Sequence, residues 1–272
     1  MTIRTAPRVS TRAGRSGTVR RDMSQSGMRI LIVNPNMTAS MTRKIGATAR
    51  QFVSAGTEVR AVSPAMGPAS IEGYYDEALS VPGLLEEIRR GETEGFDGYV
   101  IACFDDTGLD AARCLANAPV VGICEAAMHV ATMLGCRFSV VTTLSRSVPA
   151  LEALARRYGV ADRCRVRASE VPVLALEDPA SDAAALVEEA IDRAVREDGA
   201  ECIVLGCAGM ADLAVSLTRR LGVPVIDGVA AATRLVEALV GLGLTTSKIG
   251  GYATPLAKRY GGELARFAPE GS

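Results

Sequence analysis

Two stretches of the chain, 104 positions apart, echo one another. Tyr99-Val-Ile-Ala-Cys103 leads through a helical segment to Ala118-Pro-Val-Val-Gly122, and Ile203-Val-Leu-Gly-Cys207 leads through another to Val223-Pro-Val-Ile-Asp227. A unit of apolar strand, cysteine, helix and Pro-Val strand that occurs twice predicts two α/β lobes of similar build. The rest of the pattern agrees. Short runs rich in Val and Ile predict strands at 29–33, 58–62, 99–102, 119–123, 138–142, 166–173, 202–205, 224–226 and Lys248–Tyr252. Segments with Ala, Leu and charges at helical spacing predict helices near 38–54, 82–91, 107–116, 124–134, 146–158, 182–197, 209–221 and 228–241. Fully apolar strands alternating with helices imply parallel sheets covered on both faces. The carboxyl ends of such strands form the ligand edge of each sheet. Both echoed cysteines sit there, and a further strand is expected after each unit, from Phe138 and from Lys248.

Composition narrows the function. Across 272 residues, 30 Lys and Arg offset 31 Asp and Glu, and there is no Trp, so the charge and the stacking platforms of a nucleic-acid binder are missing. No apolar run is long enough to span a bilayer and the start lacks a secretory apolar stretch, which leads to the expectation of a cytoplasmic protein with no membrane partner. The seven cysteines are an odd set in a chain too long to need disulfide staples, so reduced thiols are expected. Residues 1–27 carry six Arg and almost no large apolar side chain, and cannot offset their ordering entropy by burial. They are expected to be a disordered tail or an over-extended start with Met28 as initiator. A transit peptide is the other reading of an Arg-rich, acid-poor segment.

A single cysteine at a strand end is ordinarily a small buried hydrophobe. Cys103 and Cys207 differ because they occupy one place in two echoing units, near backbone N–H groups and a helix N-terminus that favour thiolate. Two thiols facing each other across a cleft can remove a proton from one face of a carbon acid and return one to the other. That inverts a stereocentre, and it needs no cofactor when a carbonyl adjoins the acidic carbon. The expected pKa of each thiol is therefore lowered toward the operating pH. The chain has no P-loop, no Gly-x-Gly-x-x-Gly after a strand and no metal-spaced ligand set, so no cofactor and no metal are expected. The lone His129 lies in an apolar helix pattern and reads as packing rather than as half of a Cys–His pair. Cys114, Cys136, Cys164 and Cys202 have no echo. Cys124 follows a strand end but is also read as structural.

Asn34-Pro-Asn36, Gly67–Gly73, Ala102–Gly108, Val141-Thr-Thr143 and Leu205–Gly209, in that order, resemble the hydantoin racemase branch of the aspartate/glutamate racemase superfamily, to which allantoin racemases also belong. The resemblance covers about 28–256. It implies cofactor-independent racemisation of a five-membered ring ureide, a 5-substituted hydantoin or allantoin, with Cys103 and Cys207 as the acid/base residues. It also implies two pseudo-symmetric lobes with the active site in the cleft between them, lobe one being 28–121 plus 227–265 and lobe two 122–226, and a homo-oligomer. Glutamate racemases place Thr-His after the second cysteine and Asp-Ser after the first strand. Here Ala208-Gly209 and Asn34-Pro-Asn36 stand in those places, which fits a neutral ring. A decarboxylase or cis–trans isomerase on the same scaffold, or an amino-acid (Asp/Glu) racemase, is the alternative.

Several further residues belong to the expected site. Asn36, beside Pro35 at the end of the first strand, is suited to hold a ring N–H or carbonyl, though Asn-Pro-Asn is also turn chemistry. Thr142 and Thr143 either bind substrate or cap the helix that follows. The amides of Phe104, Ala208 and Gly209 are candidates to stabilise an enolate oxygen. Asp105 and Asp106 are expected to turn away from the Cys103 sulfur, because a carboxylate there would raise its pKa.

Overall fold

The computed structural model describes residues 27–178 and 180–269, so the expectations for the Arg-rich segment fall outside the described residues. The first half runs β1 (Arg29–Val33), α1 (Ala39–Phe52), β2 (Glu58–Val62), α2 (Tyr74–Glu94), β3 (Gly98–Ile101), α3 (Leu109–Leu115), β4 (Val120–Gly122) and α4 (Ile123–Leu134). The second runs β5 (Phe138–Thr142), α5 (Val148–Arg157), β6 (Cys164–Ala168), α6 (Ala183–Glu197), β7 (Cys202–Leu205), α7 (Ala214–Leu221), β8 (Val225–Asp227) and α8 (Gly228–Gly241). The strands form two four-stranded sheets of the same order, β2-β1-β3-β4 and β6-β5-β7-β8, with every pairing parallel. The fold is α/β with two lobes of like topology.

Period-two alternation sends each strand's apolar residues to two different cores. On the inner faces, Ile30, Ile32 and Val100 of the first sheet join Phe138, Val140 and Val204 of the second in one cluster, filled between by Cys124 and Met128 of α4 and Val229 and Val236 of α8. On the outer faces, Leu31, Val33 and Ile101 lie under Leu84 and Ile88 of α2, and Val141, Ile203 and Leu205 lie under Val187 and Ile191 of α6. The halves therefore share their central core, and the small residues Ala126, Ala127 and Ala131 give α4 a broad buried face within it. Fully burying one such aliphatic side chain is worth about 1.5–3 kcal/mol. Among the described residues no helix is long and apolar enough to cross a membrane.

Four elements differ from the pattern in the sequence. Lys248–Tyr252 is no strand: a 3-10 turn forms at Gly250–Tyr252, with Gly250 at φ +77°. The Lys248 ammonium donates instead to the carbonyls of Arg113 and Cys114, tying this segment to α3. The strand expected over 166–173 stops at Ala168, and after Glu170 at φ +58° and Pro172 the chain winds into a 3-10 helix over Val173–Glu177. Helix α2 begins at Tyr74, eight residues before the expected start, and continues through Pro82. The helix expected from 209 opens as a 3-10 stretch over Ala208–Leu213 and becomes α7 only at Ala214.

Candidate active site

In each sheet the order reverses between the first and third strands in sequence, and a crevice at the carboxyl ends follows from that reversal. The two crevices merge into one cavity whose free space, its open mouth included, is about 420 Å³. Sheet one contributes Asn34 and Asn36 after β1 and Ala102–Asp105 after β3, while sheet two contributes Thr142 at the end of β5, Thr143 just beyond it, and Gly206–Ala208 after β7. Cys103 and Cys207 thus line the same cavity from opposite lobes.

The same turn carries both thiols. The Asp106 amide donates to the Cys103 carbonyl (3.0 Å) and the Met210 amide to the Cys207 carbonyl (3.1 Å). Around the sulfurs the surroundings diverge. The Thr107 hydroxyl donates to Cys103 Sγ (3.3 Å), whereas Cys207 Sγ accepts the Gly209 amide (3.4 Å). Lys44 of α1 reaches across the lobes to the carbonyls of Gly209 (3.2 Å) and Leu176 (3.3 Å) and pairs with Glu177 (3.4 Å).

Burial pushes the Cys103 thiol well above its ordinary range, and the charge of Asp105 adds to this, against the downward pull of Thr107 and the Asp105 amide. Burial likewise pushes Cys207 up, to about 11, with the Gly209 amide and Lys44 pulling it down. The expectation of lowered thiol pKa values is corrected here: desolvation of a thiolate outweighs the donors around it.

The acidic pair splits. Asp106, at φ +46°, turns away from the sulfur as expected, and accepts from the Cys124 amide (3.0 Å), the Glu125 amide (2.8 Å) and the Tyr158 hydroxyl (2.6 Å). Asp105 does not turn away. It stays on the cavity wall, where burial, then the charges of Glu77 and Asp106, raise its carboxyl to about 7.

Asn36 makes the bonds of a turn and also lines the cavity. Its Oδ1 accepts from Thr38 N and Asn34 Nδ2 (both 2.9 Å) as a turn would have it, while its Nδ2 meets only the weak acceptor Met41 Sδ (3.6 Å) on the cavity wall. Thr142 and Thr143 line the cavity and cap nothing: the short helix at Ser145–Ser147 has no side-chain cap, and the Thr142 hydroxyl donates to Gly206 O (3.3 Å). Phe104 and Ala208 are on the wall, whereas Pro35 and Gly209 are not among its lining residues. The Gly209 amide donates to the Cys207 sulfur. His129 sits away from the cavity, its ring 6.0 Å from that of Tyr158.

Residues beyond the expected set complete the wall. Asn34 orients Asn36 and also donates to Thr42, a role implicit in the Asn-Pro-Asn motif. Met41, Ile71, Ser147 and Val173 arrive through tertiary packing alone. The last is held by its amide donating to Glu72 Oε1 (2.8 Å) from the other lobe. Among the described residues no group of three or more His, Cys, Asp or Glu side chains is placed to hold a metal ion.

The profile of the Asp/Glu/Hydantoin racemase family matches residues 30–236. The chain is 54% identical to a hydantoin racemase of Rhizobium meliloti over 86% of its own length and 98% of the relative's. Among solved structures, an allantoin racemase from Klebsiella pneumoniae superposes with a TM-score of 0.87 at 51% identity, covering 90% of this chain and all of that one. A second, from Pseudomonas fluorescens, gives a TM-score of 0.83 at 43% identity, covering 86% of this chain and all of that one.

Proposed function

The chain belongs to the Asp/Glu/hydantoin racemase family and is a racemase, and from that premise we propose that it inverts the ring stereocentre of a 5-substituted hydantoin or of allantoin by two-base proton transfer between Cys103 and Cys207. The observation that carries this reading is the pair of thiols reaching one cavity from equivalent turns of two like sheets. One thiolate takes the proton from the ring carbon, and the electron pair moves onto the adjacent carbonyl oxygen as an enolate. The opposite thiol then gives its proton to the other face, the enolate collapses, and the two sulfurs have exchanged protonation states. The elevated thiol pKa values make each thiolate a strong base for a weak carbon acid, at the cost of a small thiolate population. Amides of Phe104 and Ala208 face the enolate, since fixed donors stabilise developing charge without reorganising. Asn36 Nδ2 and the Thr143 hydroxyl are suited to the ring's carbonyl and N–H groups.

Incubating each pure enantiomer of allantoin and of several 5-alkylhydantoins in heavy water tests the reading. Deuterium is expected at the ring carbon as it inverts, and Cys103→Ser and Cys207→Ser are each expected to slow racemisation by about 10²–10⁴-fold. Inversion without exchange, or full racemisation by either variant, would overturn the two-thiol mechanism.

A further inference from the structure

The Asp106 carboxylate lies three residues beyond Cys103, yet its bonds go to other parts of the fold. It accepts the Cys124 and Glu125 amides at the start of α4 and the hydroxyl of Tyr158 just past the end of α5. Its own amide meanwhile closes the cysteine turn on the Cys103 carbonyl. Its backbone holds a left-handed conformation, φ +46°, that side chains other than glycine seldom adopt. Gly122 makes room for it, because a Cβ at that position would come within 2.1 Å of Asp106 Oδ1.

The second lobe solves the same capping problem locally. Asp227, the echo of Gly122, is the N-cap of α8 and accepts the Ala230 amide three residues on (2.7 Å). In the first lobe the amide at that same offset, Glu125, is taken by Asp106 from the cysteine turn. A helix of this kind can therefore be capped without involving the thiol loop. What the Asp106 arrangement adds is a tie from the Cys103 turn to α4 and to Tyr158.

We propose that Asp106 is a positioning residue whose hold on the N-terminus of α4 and on Tyr158 fixes the turn that aims the Cys103 thiol into the cavity. The role in turnover rests on the reading of Cys103 as one of the two bases.

Site-resolved alkylation with iodoacetamide, alongside kcat, KM and Tm, tests it on the full chain in Asp106→Asn, Tyr158→Phe and the double variant Asp106→Gly with Gly122→Asp. The double variant grafts the second lobe's local cap onto the first. In Asp106→Asn the Cys103 alkylation rate is expected to change at least about fivefold as the turn loosens, with Cys207 within about twofold. The same variant should lose about 100-fold in kcat with KM little changed, as small misplacements of a reacting group do. The graft is expected to recover Tm without recovering kcat. Recovery of both by the graft, or equal changes at the two thiols, would reduce Asp106 to a helix cap and overturn the proposal. Should Asp106→Asn fail to fold, Tyr158→Phe carries the same contrast in smaller measure, and an unchanged Cys103 rate there refutes the tie. If the wild-type chain racemises no ureide, the functional reading fails, while the alkylation contrast still decides whether Asp106 holds the Cys103 turn.

Discussion

The two halves share strand order, the cysteine after the third strand and the turn that carries it, and they differ in what surrounds each sulfur. Cys207 has a main-chain donor and a cation within electrostatic reach, the Gly209 amide and Lys44. Cys103 has the Thr107 hydroxyl and the Asp105 amide, and the Asp105 charge opposes the ionisation of both sulfurs, joined at Cys207 by Glu177. The two halves thus bring both sulfurs to one cavity on equivalent turns and leave their electrostatics unequal. A racemase working in both directions gains from this asymmetry. Burial keeps both sulfurs protonated at neutral pH, and their unequal surroundings make one of them the first to ionise as pH rises. By these surroundings Cys207 is the readier thiolate.

Removing Lys44 strikes that asymmetry hardest. Lys44→Met takes away the cation that lowers the Cys207 pKa, so the rise of kcat/KM with pH should move to higher pH. At neutral pH kcat/KM should fall about tenfold, equivalent to about 1.4 kcal/mol. Lys44→Arg should retain most of the rate. A loss without movement of the pH profile would make Lys44 a strut between the lobes, through its bonds to Leu176 and Gly209, and would break the electrostatic half of the comparison.

Neutralising Asp105 acts on both sulfurs in the same direction, and so sharpens the comparison rather than reversing it. Its negative charge raises Cys103 and Cys207 alike. Asp105→Asn should therefore shift the pH profile of kcat/KM to lower pH, by up to about one unit. The effect on stability has a definite sign. The folded chain keeps a proton on Asp105 up to about pH 7, while the unfolded chain releases it near pH 4, so this group makes stability fall as pH rises between those values. Relative to wild type, Asp105→Asn should gain on the order of 1 kcal/mol at pH 8 and nothing at pH 3. Denaturant midpoints at the two pH values decide it, and an equal change at both would show that the carboxyl is not held protonated.

The sequence made the symmetric part of this picture legible and hid the asymmetric part, for a physical reason. A parallel sheet covered on both faces has to be written as short apolar runs. The echo at 99–122 and 203–227 therefore exposed the strands and put Cys103 and Cys207 at equivalent ends. What distinguishes the two sulfurs depends on contacts across long stretches of chain. Tyr158 reaches Asp106 over 52 positions and Lys44 reaches Gly209 over 165, and burial of the thiols exists only once both lobes have closed. The same limit explains the strand wrongly expected at Lys248–Tyr252. The echo demanded one there, whereas Gly250 and the Lys248 bonds to α3 carry the segment back toward the first half.

The smallest expected effect comes from the Thr107 hydroxyl, a side-chain donor to the Cys103 sulfur. Thr107→Val preserves shape and removes the hydroxyl that donates to Cys103 Sγ. The net worth of such a bond is about 1 kcal/mol, and part of it persists in the thiol state, so a loss of about threefold in kcat is expected. Thr107→Ser should restore the rate, since it returns the donor without the methyl group. The direction is fixed by what the hydroxyl does to the thiol: it lowers the Cys103 pKa, so its loss should slow the Cys103 thiolate's proton abstraction from one enantiomer more than the reverse reaction begun by Cys207. Initial rates of solvent deuterium uptake, measured separately on the two enantiomers, separate these half-reactions. Equal slowing of both would mean that Thr107 only braces the turn, and the two sulfurs would then differ in their donors without differing in their chemistry.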